Sequence, residues 1–158
     1  MTTPRTPLVL SHYLTPASIL VIPEHSTKEE IFHRIIGQLV EVNHLSPLEK
    51  FTEAIWDREK EGRTVLENGL AIPHARVPGL TEVKACMGII PEGYLDIQTQ
   101  ILVKVVILFF SPQEQFENHL QMLAKISRLF QDPRLLTQIL ASGSPEKAFA
   151  FLQKQEEI

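Results

Sequence analysis

Apolar positions recur at helical intervals in two stretches near the start of the chain. The first covers about 27–44 and begins at Ser26-Thr27-Lys28-Glu29, which has the spacing of a capping box. The second start signal, Ser46-Pro47-Leu48-Glu49, places proline at the first helical position and predicts a helix over about 47–60. The apolar residues of the first helix are Ile31, Ile35, Ile36, Leu39 and Val40.

A turn and a short buried strand are predicted at 64–73. Asn68-Gly69 is a strong turn pair, and the apolar run Leu70 to Ile72 is typical of a strand. We expect this strand to stop at Pro73, because proline has no backbone donor with which the ladder could continue. The strand would then deliver His74 to the edge of the fold.

Two longer strands and a helix follow. Val83 to Ile90 is typical of a strand ended by Pro91-Glu92-Gly93, and Leu102 to Phe110 is typical of a central strand buried on both faces. Apolar spacing then predicts a helix over Phe116 to Phe130. One face of this helix carries Phe116, Leu120, Leu123 and Ser127.

The end of the chain completes the predicted fold. Asp132-Pro133 and Ser144-Pro145 each have the form of an N-cap followed by a first-turn proline, so they open two further helices. This order of elements predicts an α/β fold with a mixed sheet flanked by helices on both faces. We expect residues 1–7 to be flexible and residues 8–158 to form a single domain.

Composition narrows the class of protein. The chain has 158 residues and a net charge of −4 without a basic run, which argues against a nucleic-acid partner. Its longest apolar run, Val105 to Phe110, is too short to cross a bilayer, and no signal core follows the N-terminus. The lone Cys86 fits a reducing compartment, so we expect a cytoplasmic protein.

Histidine is the residue type that could carry chemistry. Histidines occupy positions 12, 25, 33, 44, 74 and 119. No pair has the four-residue spacing of a helical metal site, and no phosphate loop or dinucleotide fingerprint is present, so neither a metal nor a cofactor is predicted. The first four fall in loops or on the first helix and are predicted to be solvated surface residues.

His74 and two other residues could form a site. A neutral imidazole is a good nucleophile near pH 7, and the small Ala75 leaves the His74 ring approachable. A core histidine that caps a strand fits the same residues equally well. His119 and Arg58 could converge on this edge, although His119 could be a plain buried polar residue and Arg58 a cation at a helix C-terminus.

The residues around His74 also resemble a known family. The stretches Arg58 to Thr64 and Asn68 to Arg76, with Asn118-His119-Leu120, resemble enzyme IIA of the bacterial phosphotransferase system. The resemblance is to the fructose/mannitol class, and within it to the free-standing nitrogen-regulatory IIA proteins, and it extends from about Leu8 to Phe151. It implies a mixed sheet of about five strands between helices.

The resemblance also implies roles for three residues. His74 would accept a phosphoryl group from the small carrier HPr. His119 matches the family's second histidine and would donate a hydrogen bond to the phosphoryl oxygens. Arg58 matches the arginine sixteen residues ahead of the phosphorylated histidine and would act as a charge-assisted donor. An apolar rim for carrier docking is expected around His74.

The chain departs from the family at Val65 and Glu67, where glycines are usual. Glu67 could slow transfer, tune partner choice or point into solvent, and the last is favoured. Ala75-Arg76 stands in place of the commoner Gly-Lys, which is within family variation. Arg76 could steer an anionic donor surface, or could be an exposed arginine without a role.

These observations predict a phosphocarrier. Because the chain ends at Ile158 with no linker and no IIB-like cysteine domain, we expect a free-standing regulator whose phosphorylation sets its binding to kinases, transporters or other control proteins. The alternative is a sugar-specific IIA that passes phosphate to a IIB domain during hexose or hexitol uptake. An interaction module that has lost phosphorylation remains the alternative from a different class.

Overall fold

The computed structural model describes residues 8–62 and 64–157, so the predicted flexible segment 1–7 lies outside the described residues, as do Arg63 and Ile158. The helices are α1 (Lys28–Val42), α2 (Leu48–Glu59), α3 (Phe116–Leu129), α4 (Pro133–Ala141) and α5 (Pro145–Glu156). The strands are β1 (Ile19–Val21), β2 (Leu70–Ala71), β3 (His74–Val77), β4 (Lys84–Asp96) and β5 (Ile101–Pro112). No helix in the described part of the chain is both long and apolar enough to span a membrane.

The strands form one mixed sheet of five strands, as predicted. β4 and β5 pair antiparallel at its centre, β1 lies parallel to β4, and β2 and β3 lie parallel to β5. Alternate residues of β5 belong to opposite faces, with Phe109 in one hydrophobic core and Phe110 in the other. β1 was missed, because a strand of three residues that directly follows a 3₁₀ turn is too short to show a period.

Helices cover both faces of the sheet, which confirms the predicted α/β class. On one face α1 and α2 contribute Ile31, Phe32, Ile35, Ile36, Leu39, Phe51 and Ile55. On the other face α3, α4 and α5 contribute Met122, Ile126, Leu135, Ile139 and Leu152. Both cores are thus built on the same sheet.

The predicted helix starts are correct to within one residue. Asp132 and Ser144 cap α4 and α5 as predicted, each accepting a hydrogen bond from a first-turn backbone N–H. α1 is capped by Thr27, whose Oγ1 accepts from the Glu30 N–H at 3.1 Å, and not by Ser26. The capping sequence was therefore interpreted one residue too early. Pro47 occupies the N-cap position of α2, so that helix begins at Leu48.

The predicted end of the first long strand was wrong. β4 does not stop at Pro91-Glu92-Gly93 but continues to Asp96, with a register shift between Ile89 and Tyr94. A bulge lets the strand pass a proline, because the irregular residues there do not need to donate to the ladder. β4 and β5 consequently form a long hairpin that supports the whole sheet.

The strand that leads to His74 is interrupted and then resumes, contrary to the expectation that it stops at Pro73. β2 and β3 lie one after the other along β5, so the ladder breaks only at Ile72 and Pro73. Pro73 cannot donate, but its carbonyl still accepts from the Phe109 N–H at 3.1 Å. Pairing resumes with His74 opposite Phe109, which makes His74 the first residue of an edge strand.

Candidate functional site

β3 holds His74 at the edge of the sheet, on the face that α3 covers. The imidazole stacks on Phe109, its ladder partner, with 5.5 Å between ring centres and planes inclined at 15°. The residue is 6% exposed, so little more than one edge of the ring reaches solvent. Its neighbour Ala75 belongs to the core on the opposite face, so the small size of that side chain does not itself expose the His74 ring, contrary to the expectation from the sequence.

The hydrogen bond at His74 fixes which ring nitrogen is free. Nδ1 lies 2.6 Å from the carbonyl oxygen of Ile72, and because a carbonyl can only accept, Nδ1 carries the proton. Burial lowers the pKa of His74, an effect that the Ile72 hydrogen bond partly opposes and that the nearby Arg58 guanidinium reinforces. His74 is therefore neutral near pH 7, with an unprotonated Nε2 available as a nucleophile.

His119 lies in the first turn of α3, next to His74. The two ring centres are 5.0 Å apart, and Phe109 also contacts the His119 ring at 5.2 Å. His119 is 7% exposed, and its Nδ1 lies 2.9 Å from the hydroxyl of Ser111 at the end of β5. Burial lowers the pKa of His119 to about 4, with His74, Arg76 and Arg58 as further causes.

Arg58 reaches the same place from the last turn of α2. Its Nε lies 4.0 Å from Oε2 of Glu61, whereas its Nη1 is buried and has no hydrogen-bond partner among the described residues. A buried guanidinium nitrogen without an acceptor is costly and is ready to bind an anion. Arg58 also lies in the last turn of α2, where a cation interacts favourably with the helix dipole. The geometry therefore fits both an anion-binding role and a helix-end role for Arg58.

A cleft of about 720 Å³ joins these residues. α2 forms one wall, β3 the floor and α3 the other wall. The lining residues that bear charge are Lys50, Glu53, Asp57, Arg58, Glu61 and Arg76. His74, His119 and Arg58 all line this cleft, so the structure brings together the three residues that the sequence singled out, while their roles stay predictions. In the part of the chain that the structure describes, no group of three or more His, Cys, Asp or Glu residues is placed to hold a metal.

Three of the four residues predicted to share one face of α3 border this cleft. Phe116 is 53% exposed and Leu120 is 48% exposed, and both line the cleft together with Leu123. The residues of α3 that are buried are His119, Met122, Ile126 and Leu129. The helix therefore has two apolar stripes, and the one that carries Met122, Ile126 and Leu129 packs in the core. Phe116 and Leu120 are exposed, and with the half-buried Leu123, which also packs against the core, they form an apolar rim beside the two histidines, the Phe116–Leu120–Leu123 rim.

Arg76 also borders the site. Its guanidinium carbon lies 4.9 Å from the centre of the Phe116 ring, and its Nη1 donates to the Gln113 carbonyl oxygen at 3.2 Å. These contacts hold a second cation at the mouth of the cleft, close enough to His119 to help lower its pKa. The side chain is thus positioned and is not a freely moving surface arginine.

The residues that depart from the family pattern lie away from the chemistry. Val65 forms a bridge with Ala71, and Glu67 is exposed and does not line the cleft. The turn keeps its shape because Gly69, at a φ of +92°, leaves room for the Leu102 carbonyl oxygen that an added Cβ would meet at 2.9 Å.

The other four histidines lie outside the site. His12, His25, His33 and His44 are exposed, as predicted.

Comparison with known proteins identifies the class. The family model described as "Phosphoenolpyruvate-dependent sugar phosphotransferase system, EIIA 2" matches residues 12–155, and the chain therefore belongs to this family. The resemblance inferred from the residues around His74 is confirmed.

Three relatives illustrate the range of this family. The chain is 25% identical over 145 residues to a nitrogen regulatory protein of Bradyrhizobium diazoefficiens, which covers 90% of the chain and 94% of that protein. It is 25% identical over 131 residues to the PTS system 2-O-alpha-mannosyl-D-glycerate-specific EIIABC component of Escherichia coli, covering 80% of the chain but only 20% of that protein. The crystal structure of nitrogen regulatory protein IIA-Ntr from Neisseria meningitidis shares the fold, with a TM-score of 0.81, 24% identity, and coverage of 90% and 98% of the two chains.

Proposed function

We propose that the protein is a phosphocarrier in which His74 accepts a phosphoryl group from phosphorylated HPr. The observation that carries this proposal is the state of the His74 ring. Because Nδ1 donates to the Ile72 carbonyl and burial keeps the ring neutral, Nε2 is unprotonated. His74 lines the same cleft as Arg58, whose buried Nη1 has no hydrogen-bond partner among the described residues.

The proposed step exchanges one P–N bond for another. The Nε2 lone pair of His74 attacks phosphorus while the P–N bond of the donor phosphohistidine breaks, and the electron pair of that bond returns to the donor nitrogen. A donor ring that is protonated at its other nitrogen leaves as neutral imidazole, and its positive charge passes with the phosphoryl group to the His74 ring. His74 keeps its Nδ1 proton on the Ile72 carbonyl, so the acceptor moves no proton.

The neighbouring groups would stabilise the moving charge. Phosphoryl transfer passes through a loose transition state whose charge lies on three equatorial oxygens, so positioning and electrostatics supply most of the catalysis. We assign Arg58 as the charge-assisted donor and the His119 ring as a neutral donor to these oxygens. A neutral His119 is consistent with a pKa of about 4.

The walls of the cleft suggest how HPr docks. The Phe116–Leu120–Leu123 rim supplies apolar area beside the nucleophile, and interfaces gain most of their affinity from such central apolar contacts. Glu53 and Asp57 on the α2 wall favour a partner that carries basic side chains around its own phosphohistidine. We propose that HPr binds across α2 and α3 and that residues 8–158 act as one cytoplasmic domain.

A phosphorylation assay tests the carrier function. The protein would be incubated with phosphoenolpyruvate, enzyme I and HPr, and its intact mass measured before and after mild acid treatment. We expect an acid-labile gain of one phosphate that requires HPr and is absent from His74→Ala. His33→Ala, which changes an exposed histidine on α1, serves as the control and should label normally. No labelling of the wild-type protein would eliminate the carrier function and leave an interaction module, which no contact in the cleft favours at present.

For the step after phosphorylation we propose regulation, in which phosphorylated His74 changes the affinity for a kinase, transporter or other control protein. Similarity to nitrogen regulatory proteins supports this version. Similarity to a sugar-specific EIIABC component supports the alternative, a sugar-specific IIA that donates to a IIB domain. Phosphorylated protein would be mixed with a panel of IIB domains, and rapid loss of the label to one of them would establish the alternative.

A further inference from the structure

Ser111 lies beneath the candidate site at the end of β5. Its side chain is 0% exposed, and it follows Phe109 by two positions, on the same face of the strand. Its Oγ lies 2.9 Å from Nδ1 of His119. Among the described residues no other side-chain or backbone group is hydrogen-bonded to this hydroxyl. No sequence pattern gives Ser111 a role.

The buried surroundings determine the direction of this hydrogen bond. A serine hydroxyl can donate or accept, and each neutral imidazole has one N–H and one bare nitrogen. If the hydroxyl accepted from Nδ1–H, its own proton would be buried without an acceptor, which is the costly arrangement. If Ser111 donates to Nδ1, its proton is satisfied and the His119 proton is on Nε2.

We propose that Ser111 is a positioning residue that holds His119 in the Nε2–H tautomer, so that this N–H faces the cleft as a hydrogen-bond donor. The pair mirrors His74, whose Nδ1–H donates to the Ile72 carbonyl and leaves Nε2 bare. One backbone carbonyl and one hydroxyl thus give the two rings opposite polarity, a nucleophile beside a donor. The benefit to transfer rests on the proposed phosphocarrier function, whereas the tautomer itself does not.

The tautomer can be measured without any phosphoryl donor. Protein with ¹⁵N-labelled histidine would be studied at pH 7 by imidazole ¹H–¹⁵N correlation spectra. We expect the wild-type His119 ring to show a protonated Nε2 and a bare Nδ1 that accepts a hydrogen bond. In Ser111→Ala the Nδ1 resonance should shift toward that of a nitrogen without a hydrogen bond, and a fraction protonated at Nδ1 should appear. Ser127→Ala, which removes a hydroxyl elsewhere on α3, is the matched control and should leave the His119 signals unchanged.

Either of two spectral results would overturn the proposal. A wild-type His119 protonated at Nδ1 would mean that the hydroxyl accepts. Identical His119 signals in wild type and Ser111→Ala would mean that Ser111 does not act on the ring. The His74 signals report on the fold of each variant, because Nδ1–H of His74 should stay bonded to Ile72 in all of them.

Transfer kinetics test whether the tautomer matters. We expect Ser111→Ala to slow phosphoryl acquisition from phosphorylated HPr roughly tenfold, the lower end of the loss seen when the hydrogen-bond partner that orients a metal-binding histidine is removed. Ser111→Thr, which keeps the hydroxyl, should restore most of the rate. An altered tautomer with an unchanged rate would refute the role in transfer. A failure of the wild-type protein to label would refute the phosphocarrier function instead and leave the spectral result standing.

Discussion

The imidazole rings of His74 and His119 lie with their centres 5.0 Å apart and their planes inclined at 53°. Phe109 contacts both rings, since it pairs with His74 in the ladder and packs against His119 from below α3. The central strand therefore contacts both rings directly. Such fixed support suits a site that must stabilise a moving charge without rearranging.

Removing the His119 side chain should slow transfer while leaving the nucleophile in place. We expect His119→Ala to acquire phosphate from HPr roughly one to two orders of magnitude more slowly than the wild-type protein, as for loss of one preorganised donor. His119→Gln can present an amide N–H in its place and should lose less. Quenched-flow sampling with intact-mass detection gives the rates. A normal rate for His119→Ala would show that this residue is only a buried polar side chain.

Substitution of Arg58 separates its two interpretations. A cation at the end of α2 stabilises the helix by about 0.3–1 kcal/mol whether it is arginine or lysine. A donor to phosphoryl oxygens instead needs the forked guanidinium, which lysine lacks. We expect Arg58→Lys to keep the free energy of unfolding but to transfer roughly tenfold more slowly, and Arg58→Ala to lose both stability and rate. Urea unfolding and the labelling assay measure the two quantities, and a wild-type rate in Arg58→Ala would leave only the helix-end role.

The exposed rim on α3 should act on HPr affinity and not on the chemical step. We expect Phe116→Ala and Leu120→Ala each to raise the HPr concentration for half-maximal labelling by roughly tenfold, with the saturated rate nearly unchanged. Ile97→Ala changes another exposed apolar side chain, at the turn between β4 and β5, and should behave like wild type. Equal effects at all three positions would indicate a general loss of surface hydrophobicity and would contradict a defined docking surface.

Local sequence patterns predicted the fold well where one physical cause dominates. The caps of α4 and α5, and the apolar face of α1, depend on neighbouring residues alone, and the structure has them as predicted. The errors occur where the pairing partner of a strand determines where that strand ends. Pro73 and Pro91 were expected to end strands. Pairing with β5 resumes directly after Pro73, and a bulge lets β4 continue beyond Pro91. A partner distant in sequence is not visible in a local pattern.

The site was predictable only in part for a related reason. His74, Arg58 and His119 could be singled out because their residue types suit phosphoryl chemistry and because the stretch around His74 resembles a family. The sequence did not show which apolar stripe of α3 is buried, because Phe116 and Met122 are both apolar and only packing decides between them. Ser111 carried no signal at all, since a serine at the end of a strand is ordinary until a histidine packs above it.

The lowered pKa of His119 predicts a loss of stability in acid. Its pKa falls from about 6.5 to about 4 in the folded protein, and the pKa of His74 is lowered as well. At a pH between about 4 and about 6.5, His119 binds a proton in the unfolded chain but not in the folded protein. The free energy of unfolding therefore decreases as the pH falls from about 6.5 toward 4. For His119 alone the decrease between pH 7 and pH 5 should be on the order of 1–2 kcal/mol.

A variant that lacks the His119 imidazole separates the effect of His119 protonation from that of carboxylate protonation, which also destabilises proteins in acid. We expect His119→Gln to lose less stability than the wild-type protein between pH 7 and pH 5, although it can be less stable at pH 7. His33→Gln removes an exposed histidine and should follow the wild-type pH dependence. Urea unfolding followed by Trp56 fluorescence at both pH values provides the measurement. If His119→Gln and the wild-type protein lose equal stability, His119 is not the buried neutral imidazole that the proposed donor role requires.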